Sequence, residues 1–212
     1  MQKYAILITI LITILSISFL SRVEAAPNAM GQTGNLVTPS ADFMRGGQAA
    51  ISWHQQDGIV RNSLLLPLNN RFEVSIQQGR IAAGGAEVQV QAKYLRQAEG
   101  IFRPGIAIGV EDVFADKRRS CYTAMSKTFP YGIRLHAGIG TGRLQGVFSA
   151  LEYQVRARKP ASFFREAAFY LEQSHGQTAY GVRLSFPQGW KLEFGRQGCE
   201  SFTGVSYRFA GL

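Results

Sequence analysis

A set of charged side chains recurs at the polar positions of alternating runs along this sequence: Glu73, Glu87, Lys93, Glu111, Arg134, Glu152, Arg156, Arg183, Lys191, Glu193 and Arg208. Alternation with period two sends residues of one parity to one face of a strand, so these charges share one face of the sheet. Two chemistries suit such a face. Opposite charges inside a narrow barrel pair with one another and fill it. Charges left open to water line a channel or hold an anionic sugar. The residues that would touch such a sugar are Glu152, Arg183, Lys191, Glu193, Arg208, Arg134 and His136.

Other chemistry is weakly supported. The histidines are His54, His136 and His175, and a Ser-His-Asp set could be drawn from His175 with Asp112 or Asp116. No nucleophile-elbow glycine pattern accompanies it, so no enzyme and no catalytic residue is expected. Gly138-Ile139-Gly140-Thr141-Gly142-Arg143 superficially resembles a phosphate-cradling loop. Such loops open a helix, whereas Val147 to Arg156 alternates as a strand, so a flexible hairpin loop is the better account. Cys121 and Cys199 could bridge in an oxidising compartment, but spacing does not show whether they meet. With no C-x-x-C pair or nearby histidine, no metal or cofactor is expected.

These side chains need strands to carry them. The clearest runs place Phe72, Val74 and Ile76 against Glu73, Ser75 and Gln77, and Val88 to Tyr94 against Glu87 to Lys93. Ile133 to Ile139, Tyr180 to Phe186 and Trp190 to Phe194 alternate in the same way. Less regular candidates lie near 47–55, 59–66, 104–112, 120–129, 146–156 and 165–173. Ala161 to Gln173 suits a helix or a strand. The last run sets Val205, Tyr207 and Phe209 against Gly204, Ser206 and Arg208 and ends on an aromatic. Gly204, Tyr207 and Phe209 would belong to the closing strand of an outer-membrane barrel, with Phe209 at the membrane rim.

The total is about twelve strands (eight to twelve), an all-β, antiparallel, up-and-down barrel over residues 47–212. Residues 26–46 read as an N-terminal arm or short plug. If both termini are periplasmic, turns follow every even strand at Pro67–Asn70, Gln97–Phe102, Pro130-Tyr131, Lys159–Ala161 and Pro187–Gly189. Nearly all are compact and carry proline, as barrels prefer on that side. The other set, such as Ala115–Ser120 and Gly138–Gly146, would face outward, with Asp116–Arg119 a solvated loop. A soluble β-sandwich shows the same alternation. The export signal and the closing strand favour the barrel.

That signal occupies residues 1–25. Lys3 precedes the apolar run Tyr4–Leu20, and Val23-Glu24-Ala25 fits a cleavage site after Ala25. Beyond Arg22 no segment has the length of apolar residues a transmembrane helix needs. The chain carries 23 Lys and Arg against 14 Asp and Glu, a net charge of +9. A basic exported protein meets anions, so outer-membrane lipid, lipopolysaccharide and acidic polysaccharide are the expected partners, and nucleic acid is not.

Several segments resemble the YjbH-type (YbjH) family of outer-membrane proteins associated with exopolysaccharide biosynthesis. They are Gly34–Ala41 leading to Gly46-Gly47, Gly109–Val113, Ala124–Phe129, Gly146–Phe148 with Leu151–Tyr153, Gly181–Leu184 and Gly204–Phe209. The resemblance implies an outer-membrane barrel linked to polysaccharide production or export, with other polysaccharide-export proteins as expected partners and no catalytic residues to carry over. The leading expectation is a barrel that assists exopolysaccharide biosynthesis, export or organisation at the cell surface. The alternatives are a structural or adhesin-like barrel with a plugged lumen, and an outer-membrane enzyme acting on lipid or glycan.

Overall fold

The structure, a computed structural model, describes residues 25–81, 85–115, 119–157 and 163–210. The export signal up to Glu24, Asp116–Arg118 of the basic loop and the Lys159–Ala161 turn lie outside the described residues. Twelve strands follow one another: β1 (Gln48–Gln56), β2 (Ile59–Pro67), β3 (Phe72–Ile81), β4 (Gly85–Gln97), β5 (Gly105–Glu111), β6 (Ser120–Thr128), β7 (Ile133–Gly140), β8 (Gly146–Arg156), β9 (Glu166–Ser174), β10 (Gln177–Ser185), β11 (Trp190–Gln197) and β12 (Glu200–Ala210). Each pairs antiparallel with its sequence neighbours, and β1 pairs with β12, from Gln48↔Ala210 to Gln56↔Phe202. The barrel is closed, so no strand edge is left unpaired.

The two ambiguous regions resolve as strands. Within Ala161–Gln173, residues Glu166–Ser174 form β9, hydrogen-bonded to β8 and β10 along their length. Pairing on both edges decides between two periods that local sequence leaves equal. The glycine run expected as loop from Gly138 instead continues β7 as far as Gly140, and only residues 141–145 turn.

Both chain ends of the barrel lie at one rim, here called the terminus rim, together with the turns after β2, β4, β6, β8 and β10. Two of these turns share a Pro-x-Gly sequence, Pro130-Tyr131-Gly132 and Pro187-Gln188-Gly189, each a single 3-10 turn. A methyl at Gly189 (φ 93°) would fall 2.2 Å from the carbonyl oxygen of Arg208, so this turn requires glycine. On the outer face near this rim Tyr94, Tyr153, Phe169 and Trp190 are exposed. Trp190 packs on Tyr207 (ring centroids 4.7 Å) and Tyr207 stacks on Phe209 (6.1 Å). Toward the opposite mouth the outer face becomes mixed, with Thr123, Ser149, Gln173 and Thr203 exposed beside Ile139 and Val147.

On the inner face, rings lie over glycines of the neighbouring strand. The register pairs Gly109 with Tyr122, Gly138 with Phe148, Gly195 with Phe202 and Gly204 with His54. A methyl at any of these glycines would fall within 2.1–2.3 Å of the facing ring. The rings therefore lie flat against the wall, an arrangement that stabilises glycine-bearing strands and leaves the axis open.

Residues 25–42 use that space. All but Met30 and Asp42 are buried, including Gln32, Thr33, Asn35 and Ser40. The chain runs from β1 at the terminus rim inward to a turn at Asn28–Gly31, where the Gly31 N–H donates to the Asn28 carbonyl (2.8 Å). Replacing Gly195 with Val should force the Phe202 ring into the arm and cost about 1–3 kcal/mol. A lowered urea midpoint for the detergent-refolded barrel checks this, and an unchanged midpoint would contradict it.

Candidate functional site

The interior polar groups converge on the arm. Its turn Gly34–Thr38 is gripped from two sides. Glu172 on β9 accepts hydrogen bonds from the N–H groups of Leu36 (2.6 Å), Val37 (3.2 Å) and Thr38 (2.8 Å), and from the Thr38 hydroxyl (2.6 Å). Arg183 on β10 donates to the carbonyls of Gly34 (3.1 Å) and Asn35 (2.5 Å), to the Tyr170 hydroxyl (3.0 Å) and to Glu193 (2.5 Å). Leu36 and Val37 between these contacts pack with Ala29, Ala168, Tyr170, Ala179 and Phe202. Gly181 gives room here, since a methyl on it would fall 2.9 Å from the Leu36 side chain.

Two further attachments hold the arm nearer the terminus rim. Lys93 donates to the carbonyls of Thr33 (2.9 Å) and Asp42 (2.6 Å) and pairs with Glu73 at 3.4 Å. Thr33 returns its hydroxyl to Glu73. Arg134 binds both carboxylate oxygens of Asp42 through Nη1 (2.7 and 2.8 Å), and Glu99 through Nη2 (2.8 Å). Burial opposes ionisation of Asp42, but the Arg134 guanidinium prevails and holds its carboxyl well below the usual carboxylate range. At the other end Gln32 bonds Glu111 (2.6 Å) and Tyr122, and Arg143 holds Glu111 through two bonds (2.9 and 2.6 Å).

Of the residues proposed to touch sugar, Arg134, His136 and Glu152 form one cluster and Arg183 with Glu193 a second. Tyr170 joins them by donating to Glu152 (3.0 Å) and accepting from Arg183. His136 links Ser126 (2.8 Å) to Glu152 (3.1 Å), and Ser126 accepts the Ala41 N–H (2.9 Å). Lys191 is buried and Arg208 half-buried on the same inner face, closer to the terminus rim. Arg156 stands exposed at that rim, paired with Glu166 (2.9 Å). The side chains of Asp42, His136 and Glu152 come close enough to share a cation. Arg134 already occupies both oxygens of Asp42, so that charge is satisfied without a metal.

His175 and Asp112 lie in different turns, separated around the mouth by β6 to β9, and Asp116 lies outside the described residues. Cys121 and Cys199 are exposed and unbridged. Sequence reasoning passed over Glu172, Asp42, Tyr122, Tyr170 and Gln32. Only the even parity of Glu172 with Tyr170 and Ser174 could have flagged it, and the ambiguous period of that segment hid it.

A family model described as exopolysaccharide biosynthesis protein YbjH matches residues 26–170. No curated protein matches the chain. Among solved structures, a KdgM porin is similar, with TM-score 0.55 and 16% identity over 78% of this chain and 99% of that one. A second, described as KdgM porin in complex with disordered oligogalacturonate, has TM-score 0.54 and 15% identity over 78% and 99%. At this identity the likeness concerns the barrel fold.

Replacing Glu172 with Gln removes the charge that three N–H groups share and should cost about 2 kcal/mol. The arm should then be cut faster by protease within residues 26–46, and unchanged cutting would count against the clamp. The Asp42 contribution has a definite sign with pH. Because its folded-state value is depressed, the stabilisation is complete above about pH 4 and is lost as pH falls further. Protease protection of the arm should therefore weaken in acid, and Asp42→Asn should abolish that part of the pH dependence.

Proposed function

Because the chain belongs to the family of exopolysaccharide biosynthesis protein YbjH, we propose that it is an outer-membrane barrel assisting exopolysaccharide production or export with its lumen closed by its own N-terminal arm. The observation that carries this reading is the use of the interior charges. Glu172, Arg183, Lys93 and Arg134 all engage arm residues 33–42 instead of facing an open pore. The outer face, with its aromatic rim of Trp190, Tyr207 and Phe209, suits a bilayer boundary. Among the described residues no helix is long and apolar enough to cross a membrane, so crossing falls to the strands.

With a cleaved signal, the chain would begin at Ala26, whose carbonyl accepts the Gly34 N–H (3.1 Å) inside the barrel. The terminus rim would then face the periplasm and the opposite mouth the exterior. The similar porin found with oligogalacturonate supports a sugar as the partner. A permanently plugged structural or adhesin-like barrel draws on the same closed lumen and differs only in whether the arm ever leaves. No described constellation supports an enzyme.

The test has two parts. In planar bilayers the full chain should show little conductance, whereas a chain lacking residues 26–46 should open steady channels. A strain without the protein should release less exopolysaccharide. Open channels in the intact chain, or normal polysaccharide in the deletion strain, would overturn the respective half of the reading.

A further inference from the structure

Above the arm's turn, the mouth opposite the termini holds a cavity of about 550 Å³, and a second lobe of about 230 Å³ adjoins it. Both are lined by Met30, Ile59, Arg61 and Arg143, so they form one vestibule floored by the arm. We propose that this vestibule binds a saccharide segment through its hydroxyl groups, and that it prefers a neutral segment over an acidic one.

The wall chemistry carries this. Gln77 and Gln89 face each other across β3 and β4, and Gln91 lies one inward position further along β4. Carboxamides and guanidiniums offer fixed donors and acceptors in planes that match adjacent hydroxyls. Among the described residues two donors in this wall lack a partner: Nη1 of Arg61 and Nε2 of Gln91, whose residue is only 1% exposed. A buried donor without an acceptor is costly, and a ligand hydroxyl in the cavity would satisfy it.

Charge excludes an anion trap. The guanidiniums of Arg61 and Arg143 are set among Glu87, Glu111 and Asp112 in one lobe and Asp57 and Glu200 in the other. Arg143 is tied by both its bonds to Glu111. Two guanidiniums face five carboxylates among the described lining residues, so the vestibule is acidic and an incoming carboxylate is repelled where a hydroxyl is not. At about 550 Å³ the main lobe is of the size that holds a small-molecule ligand.

The inference rests on the polysaccharide-linked role proposed above. The test uses the full mature chain refolded in detergent, titrated by calorimetry with neutral gluco-, galacto- and manno-oligosaccharides and with oligogalacturonate. At least one neutral series should bind, with affinity unchanged as salt rises. Arg61→Leu should weaken that binding about tenfold, the loss of one charge-assisted hydrogen bond. Gln91→Leu, a second variant in case the first fails to fold, should weaken it too, while the lost bond from Ser75 (2.9 Å) lowers the urea midpoint without unfolding the barrel.

Binding of oligogalacturonate alone, with steep salt dependence, would overturn the neutral preference. So would the absence of binding by every probe, or affinity unaltered in both variants. Lost polysaccharide output in the deletion strain without sugar binding would remove the site and leave the role. Sugar binding with normal output in that strain would do the reverse.

Discussion

One turn of the arm, Gly34–Thr38, is held by two buried side chains of opposite charge that read opposite sides of its backbone. Glu172 takes the N–H groups and Arg183 the carbonyls. Backbone groups buried away from water must be paired, and the arm, which closes some bonds of its own such as Ala29 N–H to the Leu36 carbonyl (2.9 Å), cannot pair all of them within itself. A lumen wall can, if it supplies an acceptor-only group on one side and a donor-only group on the other. Among the described residues the carboxylate of Glu172 has no cation at hydrogen-bond distance, and its charge is balanced by amide dipoles. Arg183 is balanced by Glu193, which in turn bonds His54 (3.2 Å). Arm and wall thus satisfy one another, and the interior is ordered because neither could be buried alone.

The barrel makes room for this by keeping its own interior thin. Flat rings over Gly109, Gly138, Gly195 and Gly204 spend little of the cross-section. Phe202 then offers an apolar surface to Leu36 and Ala29. Tyr122 and Tyr170 add hydroxyls at that surface, reaching Gln32 and Glu152. Eight strands enclose an interior that side chains alone fill, and the twelve here enclose more. Here the filling is divided between wall and arm, and the division sets where polar contacts fall.

Much of this frame was legible in the sequence. The parity of Glu73, Lys93, Arg134, Glu152, Arg183 and Glu193 placed them inward, and all are buried on the inner face. Proline-bearing turns located one rim, and the alternation ending at Phe209 located the closing strand, now seen paired with β1. Which charges meet was not legible, because pairing across the lumen depends on register and shear and not on spacing along one strand. Parity alone left Arg183 equally suited to a sugar or to Glu193. Its donors reach Glu193, Tyr170 and the arm. Residues 26–46 read equally as an arm or as a short plug for the same reason: Asn, Thr, Ser and Gly describe a segment with many turns, whether in water or inside a barrel.

The net charge takes on a different meaning in this light. A basic chain suggests a basic lumen, yet the inner cations Lys93, Arg134, Arg143 and Arg183 are met by Glu73, Glu99, Glu111, Glu152, Glu193 and Asp42. Much of the basic surplus is instead displayed at the terminus rim, where Arg45, Arg71, Arg96, Arg103 and Arg165 are exposed. Long-range attraction belongs to exposed charge, because a paired interior charge projects little field through the wall. Anions drawn to this protein by its charge therefore meet the rim that carries the termini, next to the point where the arm enters. The opposite mouth, with an acidic vestibule and amide-lined walls, selects by hydrogen-bond geometry. The two ends of one barrel thus present different chemistries, attraction at one and recognition at the other, separated by the arm.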